Sequence, residues 1–152
     1  MRVLIFSDSH GDARGLTDVL MRHPDITTVI HLGDGAREAE NIAEQFPNYT
    51  FYIVRGNCDS MCTAVDSRLE TFCGKDVFMT HGHRFHVKYG LYTYDCAARE
   101  RGATVALFGH THQPLEDYHN GLYLFNPGSL KNGDYGIMDI SNSGVIFRQM
   151  KR

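Results

Sequence analysis

Five apolar, β-prone runs in this chain each stop at a residue able to bind a cation. The segments read VLIFSDSH, TVIHLGDG, FYIVRGNCD, DVFMTHGH and VALFGHTH. The first ends at Asp8 and His10, the second at Asp34, the third at Asn57, the fourth at His81, and the fifth at His110 and His112. Strand interiors demand apolar residues, and ligands of open α/β sheets collect beyond the carboxyl ends of the strands. A fold that satisfies all five runs must bring those ends together. The result is one polar centre with mixed oxygen and nitrogen donors, suited to two divalent cations. Metal-assisted phosphoester hydrolysis is the chemistry expected of it.

The stretches between the runs set the connectivity. Residues 12–22 carry Leu16, Val19 and Leu20 on one helical face, with Asp12 placed as N-cap and Pro24 just past the end. Residues 36–46 repeat the pattern with Ala39, Ile42, Ala43 and Phe46, and Pro47 stops the helix. With strands at 2–7, 27–31 and 49–54, the first half reads β-α-β-α-β, which predicts parallel strands and right-handed crossovers. The second half reads differently. Strands at 68–73 and 75–80 flank Gly74 as a hairpin, a helix spans 88–101 with Gly102 as its C-terminal cap, and a strand covers 104–108. Further strands at 122–125, 135–140 and 145–150 give the end of the chain the character of an antiparallel ribbon. The expected fold class is α/β, with two sheets packed face to face and helices outside.

Composition narrows the function. At 152 residues the chain is expected to form one domain, 1–152, with a substantial core. A net charge of −3 offers no basic track for a nucleic-acid backbone. No apolar stretch approaches the ~18 residues that span a bilayer. The apolar run at residues 3–6 is too short for a signal peptide, so a cytoplasmic location is expected. Cys58, Cys62, Cys73 and Cys96 lack Cys-x-x-Cys spacing and are read as reduced thiols, with a Cys58–Cys62 metal or redox pair as the alternative.

The ligand spacings carry geometric expectations. In an extended stretch, residues i and i+2 point the same way, so Asp8-x-His10 aims two ligands at one ion, and His110-x-His112 repeats the arrangement. Asp34 and Asn57 each follow a glycine, which permits a sharp exit from the strand. A carboxylate such as Asp34 can bridge two cations, and the Asn57 carbonyl ligates without adding charge. Taken singly, an Asp or Asn after a strand is a turn residue and a histidine is a surface or hydrogen-bonded group. That ordinary reading is given to His23, His31 and His119. His83 and His86, beside His81, could line the site. The conjunction of seven competent ligands at five strand ends is what argues for a centre.

The series Asp8-x-His10, Gly33-Asp34, Gly56-Asn57-Cys58-Asp59, His81 and Gly109-His110-Thr111-His112 resembles the calcineurin-like metallophosphoesterase superfamily. The match in order runs from Asp8 to His112, and the small size resembles its compact bacterial and archaeal phosphodiesterases of the YfcE type. Asn126-Pro127-Gly128-Ser129 is similar to a loop near the site in that branch. The resemblance implies a four-layer αββα sandwich of two mixed sheets. It implies one cation on Asp8, His10, Asp34 and His112, and a second on Asp34, Asn57, His81 and His110, with a bridging water or hydroxide as nucleophile. Manganese is the first choice of ion, with Fe, Ni, Co or Zn as the others. Many members carry His after the Asn as an aid to the leaving group; here Cys58 stands there, and a thiol is a poor donor. Asn57 and Asp59 are the residues expected to act in catalysis beside the metals, Asp59 as an orienting acid or as a turn cap.

A small-molecule phosphoester is the expected partner, without nucleic acid or membrane, and with self-association left open. Two rival readings differ in class. One is a non-catalytic scaffold resembling a retromer subunit of the same fold, against which the completeness of the ligand set argues. The other is a nucleotide phosphatase of the same superfamily. No Gly-x-Ser-x-Gly elbow or phosphate-binding Gly-x4-Gly-Lys loop points elsewhere.

Overall fold

In the computed structural model, which describes residues 1–152, β1 (Arg2–Phe6), β2 (Thr28–His31) and β3 (Thr50–Ile53) alternate with α1 (Ala13–Arg22) and α2 (Ala36–Gln45). A second series follows: β4 (Ser67–Phe72), β5 (Lys75–Thr80), α3 (Tyr92–Glu100), β6 (Val105–Leu107), β7 (Leu115–His119) and β8 (Leu122–Asn126). The chain closes with β9 (Asp134–Ser141) and β10 (Gly144–Lys151). Two five-stranded sheets result, ordered β10-β9-β1-β2-β3 and β4-β5-β6-β8-β7. In the first, β1, β2 and β3 are parallel and β9 and β10 antiparallel. In the second, β5, β6 and β8 are parallel, and β4 and β7 close the edges antiparallel.

Alternation along the strands builds four layers. Val3 and Ile5 of β1 join Val77 and Met79 of β5, Val105 and Leu107 of β6, and Phe125 of β8 in one buried cluster between the sheets. The intervening Leu4 and Phe6 face outward and pack under Leu16, Val19 and Leu20 of α1 and Ala39 and Ile42 of α2. On the far side, Phe78, Ala106 and Leu124 carry Tyr94 and Ala98 of α3. Period-two side chains thus serve both faces of each strand, the sign of sheets covered on both sides. The αββα sandwich expected from the sequence is the fold observed.

The helix caps follow the sequence. The Asp12 carboxylate accepts the Gly15 N–H at 2.9 Å. At the end of α3, Gly102 takes φ 72°, and its N–H and that of Ala103 donate to the carbonyls of Arg99 and Ala98 at 2.9 and 3.0 Å. This pair of bonds is a Schellman closure, for which glycine is the favoured residue.

Three readings are corrected. The helix expected from residue 88 begins at Tyr92, because Gly90 at φ 155° and a short 3-10 turn at His83–Phe85 occupy the preceding stretch. The strand β7 was not foreseen; its sequence LEDYH is mostly exposed at the sheet edge and lacks an apolar run. The second half is also less of an antiparallel ribbon than expected, since β8 runs parallel to β6. No helix is long and apolar enough to cross a membrane.

Candidate metal centre

Parallel strands put their carboxyl ends on one side, so the loops after β1, β2, β5 and β6 meet at one end of the seam between the sheets. There Asp8, His10 and His112 form one group of facing donors, and Asp34, His81 and His110 form another; within each group the donor atoms lie within 4.8 Å of one another. A third such group joins His10 of the first, Asp34 of the second and Cys58, so the two groups adjoin. Asp8, Asp34 and His81 make a buried floor, while His10 and His112 rise to a rim with side chains 31% and 41% exposed.

The backbone reaches this arrangement through torsions that few residues accept. Asp8, His10, Asp34, His110 and His112 all have positive φ, between 44° and 67°. The left-handed region costs an ordinary L-residue roughly 1–2 kcal/mol, and Asp, Asn and His enter it more readily than most. The expectation of an extended Asp8-x-His10 is therefore corrected: these residues converge by left-handed turns. His110 and His112 do not repeat an aim at one ion either, since they fall in different donor groups. Gly56 serves close approach: a Cβ there would sit 2.1 Å from Asp34 Oδ1 and 2.5 Å from the Asp34 nitrogen.

Hydrogen bonds hold Asp8, His81 and the loop of His110 and His112 in place. Asp8 Oδ2 accepts from Ser7 Oγ at 2.5 Å and from the His110 N–H at 3.0 Å. The ring of His81 bonds through Nδ1 to the Leu32 carbonyl at 2.8 Å, so Nδ1 carries the proton and Nε2 presents a lone pair to the centre. Asn126 donates to the Gly109 carbonyl at 2.9 Å and to Thr111 Oγ1 at 3.0 Å, fixing the loop of His110 and His112. Ser129 Oγ and the Lys131 N–H donate to the Asp8 carbonyl at 2.9 and 3.2 Å. The Asn126–Ser129 stretch thus braces both loops. Ser7, the Leu32 carbonyl and the detailed role of Asn126 lie beyond sequence reasoning, because each acts on a residue brought near only by folding.

The donor set fits cations. Asp8 Oδ1 is buried and satisfies no hydrogen bond, although it lies 3.1 Å from His112 Nε2. His10 Nε2 and His112 Nε2 face each other at 3.3 Å, as do His110 Nδ1 and His81 Nε2 at 3.2 Å. An orphaned buried carboxylate oxygen is costly unless something positive lies beside it, and the neighbouring imidazole nitrogens are competent to share such a charge. Burial pushes Asp34 up, but the hydrogen bond and charge of His81, with the Cys58 N–H, override it and hold the carboxyl well below its usual range. Burial pushes His81 down, yet Asp34 and Asp8 outweigh it and raise it overall. Burial and the charges of His81 and Lys88 push His110 down to about 4, which leaves its ring neutral and able to ligate at neutral pH.

The other residues singled out from sequence are placed as follows. Asn57 is exposed, and its amide nitrogen lies 3.3 Å from Cys58 Sγ. Asp59 accepts four backbone N–H groups: Asp34 at 2.8 Å, Gly35 at 2.9 Å, Ala36 at 3.0 Å and Gly56 at 2.7 Å. It caps α2, whose own N-cap position is the side-chain-less Gly35, and ties the Asp34 loop to the Asn57 loop. His83 packs its ring 5.5 Å from His81 and 6.1 Å from His110, while His86 is exposed. His31 is buried between Ser9 Oγ and the Gly33 N–H, and His23 and His119 bond to Tyr135 and to Asp95 and Asp117. The cysteines are all free thiols; Cys58 joins the metal centre, and Cys62 packs at the edge of the α1–α2 core.

A four-layer sandwich with His/Asp clusters at the carboxyl ends of its parallel strands defines a class of metal-dependent hydrolase. The chain belongs to the calcineurin-like phosphoesterase superfamily, whose domain matches residues 1–143. It is 32% identical to the probable metallophosphoesterase YsnB of Bacillus subtilis over 97% of this chain and 89% of that one. It is 29% identical to the phosphodiesterase YfcE of Escherichia coli K12 over 96% and 91% of the two chains. A conserved protein of Streptococcus pneumoniae TIGR4, described as a predicted phosphoesterase, shares the fold with a TM-score of 0.85 at 24% identity, over 99% of this chain and 88% of that one.

Proposed function

We propose that this centre hydrolyses small phosphodiesters with two divalent cations. The observation that carries the reading is the pair of His/Asp donor groups linked through the His10–Asp34–Cys58 group, with Asp8 Oδ1 buried and unpartnered among imidazole nitrogens. Asp8, His10, Asp34 and His112 would hold one cation, and Asp34, Asn57, His81 and His110 the other. Bound there, the cations would supply Lewis acidity toward the phosphoryl oxygens and an acidified water nucleophile at neutral pH.

The chain's own residues supply positioning. Ser7 and the His110 N–H occupy Asp8 Oδ2 and leave Oδ1 free to ligate. The Leu32 carbonyl fixes the His81 tautomer. Asp59 acts through the backbone of the Asp34 and Asn57 loops rather than on substrate. Partial burial and the Asp34 carboxylate push the Cys58 thiol up, so it stays protonated at neutral pH and supplies no thiolate nucleophile. The test of the reading is a phosphoester panel, with cyclic nucleotides, aryl diesters and monoesters, assayed with Mn, Fe, Co, Ni and Zn. Turnover of diesters that requires added metal supports it; no turnover with any metal overturns it. Manganese is the proposed ion, since a mixed nitrogen and oxygen set accepts any of these and supply decides.

Two expectations follow from the geometry. Reconstitution with Mn should load the protein to a plateau near two ions per chain by elemental analysis. A plateau at zero or one would remove the two-cation centre. The second concerns Cys58. Its backbone N–H bonds Asp34 at 2.8 Å and survives truncation of the side chain, so Cys58→Ala leaves the floor intact. Cys58→Ala should change turnover of activated aryl diesters by less than about 3-fold, because only a weak donor is lost. Cys58→His should raise turnover of diesters with poor leaving groups, where general acid help is worth about 10²–10⁴-fold. Rates plotted against leaving-group pKa, at checked metal occupancy, decide the matter. A large loss in Cys58→Ala at full loading would assign the thiol a role of its own.

A further inference from the structure

Two cavities open beside the ligand loops, and they differ in chemistry. One, of about 350 Å³, belongs to the first-sheet loops and is polar, with His10, Asp34, Arg37, Glu38, Cys58 and Asp59 in its lining. The other, of about 430 Å³, belongs to the second-sheet loops. Its apolar walls are Val87, Leu91, Phe108, Pro114 and Leu115, and Lys88, Thr111 and Gln113 supply polar groups among them. Thr111 sits in the chain between the candidate ligands His110 and His112, so one wall of this cavity is the loop that carries them. Its volume falls in the range of small-molecule sites, roughly 300–1,000 Å³. The apolar side chains and the Phe108 ring form one wall that offers no hydrogen bond, and the polar groups Thr111, Gln113 and Lys88 lie around it. Lys88 is exposed and has no carboxylate partner, unlike Arg84 and Arg99 nearby, which pair with Asp66 and Asp95.

We propose that the Val87–Leu115 cavity is the subsite for one alcohol arm of a phosphodiester, an arm with a flat apolar body and an anionic end that Lys88 pairs. The proposal rests on the phosphodiesterase reading. A diester bound at the centre sends its two alcohol arms in different directions. The second-sheet cavity accepts the apolar arm, because burying apolar surface there is favourable at about 25 cal/mol per Å². The first-sheet cavity, lined by carboxylates, an arginine and a thiol, accepts the polar one. The unpaired ammonium of Lys88 meets an anion at little desolvation cost, since it is already at the surface. The preferred substrate is therefore an asymmetric diester, and the Lys88 side of the site decides its KM.

The test compares 4-carboxyphenyl 4-nitrophenyl phosphate, which fills the cavity, with methyl 4-nitrophenyl phosphate, which leaves it empty. Leu115→Trp fills the cavity, and Lys88→Met removes the charge but keeps the stem. Each should raise KM for the carboxyaryl ester about 10-fold, equivalent to about 1.4 kcal/mol, with kcat little changed. The methyl ester should keep its kinetic constants within about 2-fold, on the scale of surface substitutions. Equal losses on both substrates, or none on either, overturn the subsite. If the wild type turns over neither ester with any metal, the phosphodiesterase reading falls, and binding then decides the subsite. Zn-reconstituted protein in saturating inorganic phosphate is titrated with 3-phenylpropionate while the methyl resonances of Val87 and Leu91 are followed. Saturable shifts that vanish in Leu115→Trp sustain the subsite; unmoved resonances overturn it.

Discussion

Replacing Asp34 with alanine should lower kcat/KM on an activated aryl diester by about 10³-fold or more at saturating Mn, close to 4 kcal/mol of transition-state stabilisation. His10→Ala should cost about 10–100-fold under the same conditions. The difference comes from where the two side chains stand. Asp34 is buried in the floor, lies 3.4 Å from His81 Nε2, and brings a carboxylate to two donor groups, where His10, also in two, brings only a ring nitrogen. Its other oxygen accepts the Cys58 N–H at 2.8 Å, so its loss also frees the loop that carries Asn57. Two adjacent cations would then repel each other with less negative charge between them. His10 stands on the open rim, where water can take a vacated position. Kinetics with metal content measured in each variant test the ranking; a larger loss in His10→Ala would take Asp34 out of the bridging position.

Asp59→Ala should give the largest loss of stability among the site variants, about 2–4 kcal/mol, or roughly 5–15 °C in Tm. One carboxylate satisfies four N–H groups from two stretches of chain, and no other side chain caps α2. Alanine leaves all four donors without a protein acceptor. Asp59→Asn should fall between, since it keeps one acceptor oxygen and turns a donor toward N–H groups. Metal affinity should weaken by about 10–100-fold in Asp59→Ala, because the loop that presents Asp34 is no longer anchored. Calorimetry with and without Mn reads both effects. An unchanged Tm would show that water replaces the carboxylate at no cost and that the tie between the loops is incidental.

The strands and the donor residues at their ends were legible for one physical reason. A strand buried on both faces must be apolar along its length, so the first polar residues after it mark the sheet's edge, as in VLIF before Ser7 and Asp8, or VALF before Gly109 and His110. The β7 strand carried no such mark, because an edge strand with one exposed face can be written in polar residues. The aim of individual side chains was also hidden. Whether His110 and His112 serve one ion or two depends on a pair of left-handed torsions. The Asp59 clamp was invisible as well, since its partners lie 23 to 25 residues away in Asp34, Gly35 and Ala36. Sequence reasoning names donors well and second partners poorly, because partners are chosen by folding.

The left-handed torsions at Asp8, His10, Asp34, His110 and His112 set selection for folding against selection for chemistry. Glycine would relax the backbone at each of these places while deleting a donor. At His10 and His112, on the open rim, glycine would relieve the torsion with no buried bond lost, whereas at Asp8 and Asp34 it would also strand the N–H groups of His110 and Cys58 that their carboxylates accept. The same positions are therefore poor choices for anyone seeking a more heat-resistant but working version, however tempting a glycine there would be on backbone grounds.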